Sequence, residues 1–377
     1  MKVCYVLSHF PPHIGGVEKM FFDIAQGMQR KGHEVRVITS NSGGIQGYKK
    51  YEGLDVWYYN WKILFGHPFL RESDLKEHLI WADVIHTSTI TPGPVVCKAT
   101  HKLGKKCIIT VHEVLGKRWN WIESNPLLRV GYYGVERYVV TRNYDAYHVN
   151  SNATKNDLDK LNVACPVKTI YLPVEEVKYE KEEDSVSNFF GIEPDKKVFL
   201  FYGRPGQSKG IFVYLEAIKH LVKVENNRIE NARFCFVMSD DPKRQKDKFC
   251  RLIKKWNLER YVKVEKSVKR DKLFTLISDA DYVVVPSITE GFGFSAVEAC
   301  FMDKRLICSN AGSLPEVVFG DVCFFENRDS RDLANVLHRI LRGEDVFCKI
   351  PRKDYSLMPL VQEMEEFYNK YGITNMT

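Results

Sequence analysis

No run in these 377 residues reaches the roughly 18 apolar side chains that a membrane-crossing helix needs. Ten cysteines are present, yet none forms a C-x-x-C pair and no histidine cluster lies beside one. Such spacing gives no disulfide framework, and Cys107, Cys235 and Cys308 sit in apolar runs. They read as reduced core thiols of a cytosolic protein. The dinucleotide fingerprint G-x-G-x-x-G is absent, as is the phosphate-loop order G-x-x-x-x-G-K-[ST]. The opening residues Met1–Leu7 turn to His9-Phe10-Pro11-Pro12 without a cleavage-like segment, so they read as a first buried strand and not as a signal peptide. There is no internal repeat and no low-complexity tract.

What remains is an ordinary globular composition, 44% hydrophobic and 27% charged, at a length that favours two domains. The formal charge of +7 is carried by the first 172 residues, the remainder being balanced. A basic excess in one half points to an acidic partner: nucleic acid, an anionic membrane or a phosphorylated substrate. Strand and helix signals alternate. Strands are predicted at 3–8, 34–39, 81–86, 106–111 and 146–150, with a helix from about Val17 to Lys31 ended by Gly32. This order predicts a parallel, doubly wound sheet. Leu172-Pro173-Val174 closes the series. The charged stretch Lys178–Asp184 reads as the linker, and a second alternating series starts at Lys197–Tyr202. The expected domains are 1–173 and 174–354, with a final helix within about 355–377.

The stretch richest in chemistry is Pro286-Ser-Ile-Thr-Glu290-Gly-Phe-Gly-Phe-Ser-Ala-Val-Glu298. It joins the apolar strand Ala280–Val285 to a helix beginning near Ser295. Gly291 and Gly293 at this junction let backbone N–H groups approach a ligand, and the helix start favours negative charge. Glu290 and Glu298 flank the turn, one in the loop and one about two turns into the helix. Hydroxyls at two places with phosphate between them would suit this pattern, which is the outline of a nucleotide sugar. A second strand end carries Gly203-Arg204-Pro205-Gly206-Gln207-Ser208-Lys209-Gly210, two cations among three glycines. Arginine offers a planar fork for phosphate oxygens and lysine a mobile point charge. His112 ends the strand 106–111, and ligands gather beyond the carboxyl ends of such strands. Gly15 and Gly16 lie between the first strand and its helix.

The pattern P-S-x-x-E-G-F-G-x-x-x-x-E-A, with G-R-x-x-x-x-K-G and the early Gly-Gly loop, resembles the retaining glycosyltransferases of family 4. The resemblance runs from Met1 to about Tyr371. It implies the GT-B fold: two facing Rossmann-like α/β domains with a cleft between them, and a C-terminal helix crossing back to the first. It implies that Arg204 and Lys209 grip the donor diphosphate, that Glu290 holds the donor sugar and that Glu298 holds the ribose. The turn Gly291-Phe292-Gly293 and the pair Gly15 and Gly16 would lie near the phosphates, and His112 would contact the sugar. The implied reaction moves a hexose from a nucleotide diphosphate to an acceptor hydroxyl with retention, without a metal and without a cofactor beyond the donor itself, in cell-envelope glycolipid or polysaccharide synthesis. Other enzymes share this fold, such as a nucleotide-sugar epimerase or a sugar-phosphate synthase. A non-catalytic partner subunit that keeps nucleotide binding is a further alternative.

Two loops depart from the family pattern. Ser239–Pro242 replaces a glycine turn, and Lys266 stands where glycine is usual, which leaves the base open. Basic and aromatic side chains interleave over Gly116–Tyr133 and again over Trp57–Phe65. Both segments read as a face for a membrane or a lipid-linked acceptor, placing the protein in the cytoplasm or on the inner membrane face. No nucleic-acid partner is expected. Ser151 or Asn152 reads as an N-cap, His86 and Glu316 as structural, and Asp157-Leu158-Asp159 as a solvated helix face and not a metal site.

Overall fold

The computed structural model describes residues 1–13, 15–41, 44–64, 67–89, 92–174, 185–224 and 228–373. The chain divides into two compact units. The first comprises Met1–Trp119, Asn125–Glu175 and Tyr355–Thr377, the second Asn120–Ser124 and Glu176–Asp354. The expected linker Lys178–Asp184 lies outside the described residues.

In the first unit the strands are β1 (Lys2–Val6), β2 (Glu34–Ser40), β3 (Gly47–Tyr51), β4 (Leu54–Tyr59), β5 (Lys62–Leu64), β6 (His67–Phe69), β7 (Val84–Ser88), β8 (Cys107–Val111), β9 (Ala146–Val149) and β10 (Val167–Thr169). Eight of them form one sheet in the order β10-β9-β8-β7-β1-β2-β4-β3, and β5 pairs with β6 apart from it. Every pairing in the large sheet is parallel except β3 with β4. The strands β7, β8 and β9 are buried throughout, as parallel strands covered on both faces must be. The strand expected at 81–86 is shifted. Trp81 ends the helix Glu72–Trp81, and the extended backbone begins only at Val84.

The second unit contains β11 (Lys197–Gly203), β12 (Ala232–Met238), β13 (Val262–Lys266), β14 (Tyr282–Val285), β15 (Arg305–Ser309), β16 (Gly320–Phe325) and β17 (Cys348–Ile350). Their order is β13-β12-β11-β14-β15-β16-β17, parallel except at β17. Helix Ser330–Leu341 covers one face. Its N-cap Asp329 accepts hydrogen bonds from the amides of Arg331 and Asp332, and it buries Leu333, Val336, Leu337 and Ile340 at helical spacing.

The last helix, Leu357–Tyr371, belongs to the first unit, where a buried chain of hydrogen bonds fastens it. Tyr5 Oη lies 3.1 Å from Tyr368 Oη, and Tyr368 Oη 2.6 Å from His86 Nδ1. His86 Nε2 lies 2.7 Å from Thr110 Oγ1, and Thr110 Oγ1 2.8 Å from His148 Nδ1. His148 Nε2 is 2.9 Å from the Ile170 carbonyl oxygen. A carbonyl can only accept, so His148 donates from Nε2 and accepts at Nδ1. Thr110 then donates to His148 and accepts from His86, which accepts from Tyr368. One backbone oxygen thus sets the direction of the whole chain, provided both imidazoles are neutral. Burial favours that state: it lowers His86 well below the usual value and lowers His148 to about 4. His86 is structural, as expected.

All ten cysteines are free thiols, and most are buried. Asp157 pairs with Arg118 and, at 2.7 Å, with Lys160. Ser151 caps helix Asn152–Asp159, its hydroxyl accepting from the Thr154 amide at 3.1 Å.

Candidate active site

In the second unit β11 and β14 are neighbours although β12 and β13 lie between them in sequence. The strand order reverses there. At such a switch point the two following loops diverge, leaving a crevice at the strands' carboxyl ends where ligands bind. The loop after β11 carries Arg204 and Lys209, and the loop after β14 carries Glu290. Backbone contacts join them. The Ile288 amide donates to the Ser208 carbonyl at 2.7 Å. Gly210 has φ +67°, and a Cβ there would lie 1.6 Å from the Pro286 carbonyl oxygen, so only glycine permits this approach.

The contact brings Lys209 Nζ to 2.5 Å from Glu290 Oε1, across 81 residues of sequence. The Ser287 hydroxyl donates to the same oxygen at 3.2 Å. The backbone of Glu290 is held as well. Its carbonyl accepts from the Ser313 amide at 3.1 Å and from the Ser313 hydroxyl at 3.3 Å. Gly312, at φ +52°, leaves room for that carbonyl, since a Cβ would meet it at 2.3 Å. Gly293 is left-handed at φ +86° and caps helix Phe294–Phe301. Gly291 and Phe292 are buried, and the Phe292 ring meets Phe294 edge-on at 5.2 Å. The Phe292 ring is therefore core, and what it can offer a ligand is backbone.

Glu298 is buried one turn into helix Phe294–Phe301, nearer its start than the sequence suggested, with Arg270 Nη2 2.7 Å from its Oε1. Nearby, the Tyr202 hydroxyl donates to the Ser295 carbonyl at 2.6 Å. Arg204 is exposed and has no ion-pair partner among the described residues. The second unit thus gathers Lys209, Glu290, Gly291–Gly293 and Glu298 around one strand junction, with Arg204 on the loop beside it.

His112, Gly15 and Gly16 belong to the first unit. Both ring nitrogens of His112 are shut off from solvent and have no hydrogen-bond partner among the described residues. The ring meets Phe21 edge-on, and burial together with His148 lowers its pKa to about 3, so it is a neutral imidazole. Gly15 precedes helix Gly16–Arg30. The space a side chain would need there is filled by the Glu18 carboxylate, 2.1 Å from an ideal Cβ. Glu18 is buried, and its Oε1 lies 2.7 Å from His13 Nδ1. Gly15 therefore makes room for a carboxylate of the chain itself, and Gly16 is the exposed glycine of the pair.

Reading the sequence missed Ser287, Ser313, Arg270, Glu18 and His13. The turn Gly312–Glu316 carried a signal in its glycine and proline. Arg270 carried none, because its partner Glu298 lies 28 positions away.

The two interaction faces expected from aromatic composition fare differently. Tyr58 and Trp61 are buried, with Trp61 Nε1 donating to Asp74 at 2.9 Å and the Tyr59 ring stacked on Trp61. That segment is core up to Trp61, not a face. Phe65 lies outside the described residues. Helix Pro126–Val140, by contrast, leaves Leu127, Val130, Val135 and Tyr138 more than half exposed.

Two parallel-rich α/β units, the second with loops converging at a switch point, have the architecture of the GT-B fold. Sucrose-phosphate synthase from Thermosynechococcus elongatus superposes with a TM-score of 0.72 at 17% identity, covering 98% of both chains. Anabaena HepE in complex with UDP-glucose gives 0.71 at 16%, covering 98% of this chain and all of that one. The family model for Glycosyltransferase Family 4 matches residues 14–177, and that for Glycosyl transferases group 1 matches 182–354. The chain belongs to glycosyltransferase family 4. It is 23% identical to an uncharacterized glycosyltransferase of Methanocaldococcus jannaschii, over 85% of this chain and 84% of that one. It is 22% identical to the GPI3 subunit of phosphatidylinositol N-acetylglucosaminyltransferase of Saccharomyces cerevisiae, over 99% and 84%. It is 23% identical to the GDP-mannose:cellobiosyl-diphosphopolyprenol alpha-mannosyltransferase of Xanthomonas oryzae, over 79% and 76%.

Proposed function

We propose that this protein is a metal-independent, retaining hexosyltransferase that uses a nucleoside-diphosphate sugar. The observation that carries the reading is the meeting of Lys209 and Glu290 at the β11–β14 switch point. Without a ligand these charges neutralise each other. A diphosphate would draw Lys209 away with Arg204, freeing Glu290 to accept hydrogen bonds from sugar hydroxyls. Glu298, oriented by Arg270, is suited to the two hydroxyls of a ribose. His112, neutral and unpaired, is suited to a further sugar hydroxyl.

In the transfer the bond between the anomeric carbon and the diphosphate breaks as the acceptor oxygen bonds to that carbon on the same face. The acceptor's proton passes to the departing phosphate oxygen. Arg204 and Lys209 stabilise the growing negative charge there, in place of a metal. The relatives that act on phosphatidylinositol and on a diphosphopolyprenol support a lipid-linked acceptor, reached by a protein lying peripherally on the membrane.

The double variant Arg204→Ala/Lys209→Ala should weaken binding of a nucleoside diphosphate by at least about 100-fold, since each charge-assisted contact is worth about 1.5–3 kcal/mol. Calorimetry with UDP, GDP and ADP measures this and identifies the base. Unchanged affinity would remove the assignment. Chelator should leave transfer intact, and a strict requirement for a divalent ion would contradict the electrostatic role given to the two cations. The word subunit in the yeast relative's name favours one second reading, a nucleotide-binding partner without its own activity. Donor hydrolysis by the purified chain separates the two.

A further inference from the structure

The second half of the chain is balanced in charge as a whole, yet its cations are concentrated. Helix Lys243–Lys255 reads KRQKDKFCRLIKK. It turns Phe249 and Ile253 into the core. Arg244, Lys248, Arg251 and Lys255, spaced i, i+4, i+7 and i+11, therefore fall on one line along the opposite face. All four are exposed, as are Lys243 and Lys254 at the flanks. Arg244, Arg251 and Lys255 have no acidic partner among the described residues, while Lys248 lies over the Phe212 ring at 4.7 Å. Asp247 is the one acid in the helix. The helix leads into β13, the edge strand of the sheet, beyond which exposed Lys266 and Lys269 extend the same charge.

A stripe of like charges costs self-repulsion that folding does not need, because the core contacts of this helix come from Phe249 and Ile253. An anionic partner would offset that cost. A line of cations on a straight helix, without aromatic side chains between them for base stacking, matches a flat sheet of head groups better than a nucleic acid strand.

We propose that the outward face of helix Lys243–Lys255 is an electrostatic contact with an anionic lipid bilayer. The proposal deepens the membrane reading given above and rests on it for the nature of the anion. It assigns the second unit a contact of its own, distinct in chemistry from the apolar face of helix Pro126–Val140. Stable peripheral attachment generally takes two signals, one apolar and one basic.

The test is sedimentation of the full chain with phosphatidylcholine vesicles and with vesicles of phosphatidylcholine and phosphatidylglycerol at 3:1. Wild type should partition more strongly onto the anionic vesicles and be released from them as salt rises from 0.1 to 0.5 M, roughly, where the screening length falls below about 10 Å. The variant Arg244→Glu/Arg251→Glu/Lys255→Glu should lose more than about 100-fold in partition to anionic vesicles, since each cation near the surface is worth about fivefold and each is here reversed, not merely removed. Its partition to neutral vesicles, its thermal midpoint and its donor hydrolysis should be unchanged. Val130→Ser/Val135→Ser should instead weaken both vesicle types. If the charge-reversed chain binds anionic vesicles as wild type does while the Val130→Ser/Val135→Ser chain does not, the helix contact is wrong and the membrane reading stands. If wild type ignores both vesicle types, or binds a random DNA duplex and neither vesicle, both are wrong.

Discussion

Replacing Glu290 by alanine should abolish glycosyl transfer, by about 10³-fold or more in kcat, while leaving the fold in place. The size of the effect follows from geometry. Glu290 is held at its side chain by Lys209 and Ser287 and at its carbonyl by Ser313. When Lys209 turns to the diphosphate, Ser287 and the Ser313 contacts still hold Glu290 in place, and removing one such preorganised group costs about 10²–10³ in rate. Losing Glu290 also leaves Lys209 without its counter-charge, so the mutation disturbs two groups at once. The fold should survive because the Gly312 and Ser313 contacts are to the backbone of residue 290, which alanine keeps. Glu290→Gln separates charge from shape: it retains the hydrogen-bonding outline and should recover part of the loss. Turnover with the donor that calorimetry selects, beside a circular-dichroism melt, measures both. Near-normal turnover in the alanine variant would sink the role given to Glu290.

Acid should destabilise the first unit in a window set by its buried histidines. His86, His148 and His112 are neutral in the folded chain, because burial opposes charging them. In the unfolded chain each takes up a proton below about pH 6.5. Between that value and the folded values, about 4 for His148 and about 3 for His112, the unfolded state holds more protons. Stability is therefore complete above pH 6.5 and falls as pH drops toward 4 and 3. One pKa unit corresponds to about 1.4 kcal/mol, so His148 alone contributes roughly 3 kcal/mol across its window. Protonated His86 could no longer accept from Tyr368, so the C-terminal helix should loosen with the same transition. Urea unfolding at pH 7.5 and pH 5 should show a loss of several kcal/mol, and His148→Gln should flatten the slope. Equal midpoints at the two pH values would refute neutral burial of these rings.

The local chemistry of the chain was readable without coordinates. The alternation of apolar runs such as Lys197–Tyr202 with helix signals predicted a parallel sheet, and the strands are apolar at nearly every position because helices cover both of its faces. The glycines of Gly291-Phe292-Gly293 marked a backbone turn for the same kind of local reason. Periodicity, however, shows which side of an element is apolar and not what lies against it. Trp57–Phe65 and Gly116–Tyr133 looked alike in composition. The sheet and the helix beside it buried Tyr58 and Trp61, whereas the second segment kept its apolar side outward.

Summed charge misleads in a similar way. The balanced second half conceals helix Lys243–Lys255, because a total carries no information about where on the surface its terms fall. Residue types and turns are set by interactions a few positions long, and those the chain alone dictated. The order in which strands pair is set by loops and packing over the whole unit. That order put β11 beside β14, so Lys209 and Glu290 could meet, and it put Arg270 against Glu298, where no spacing rule would have placed it.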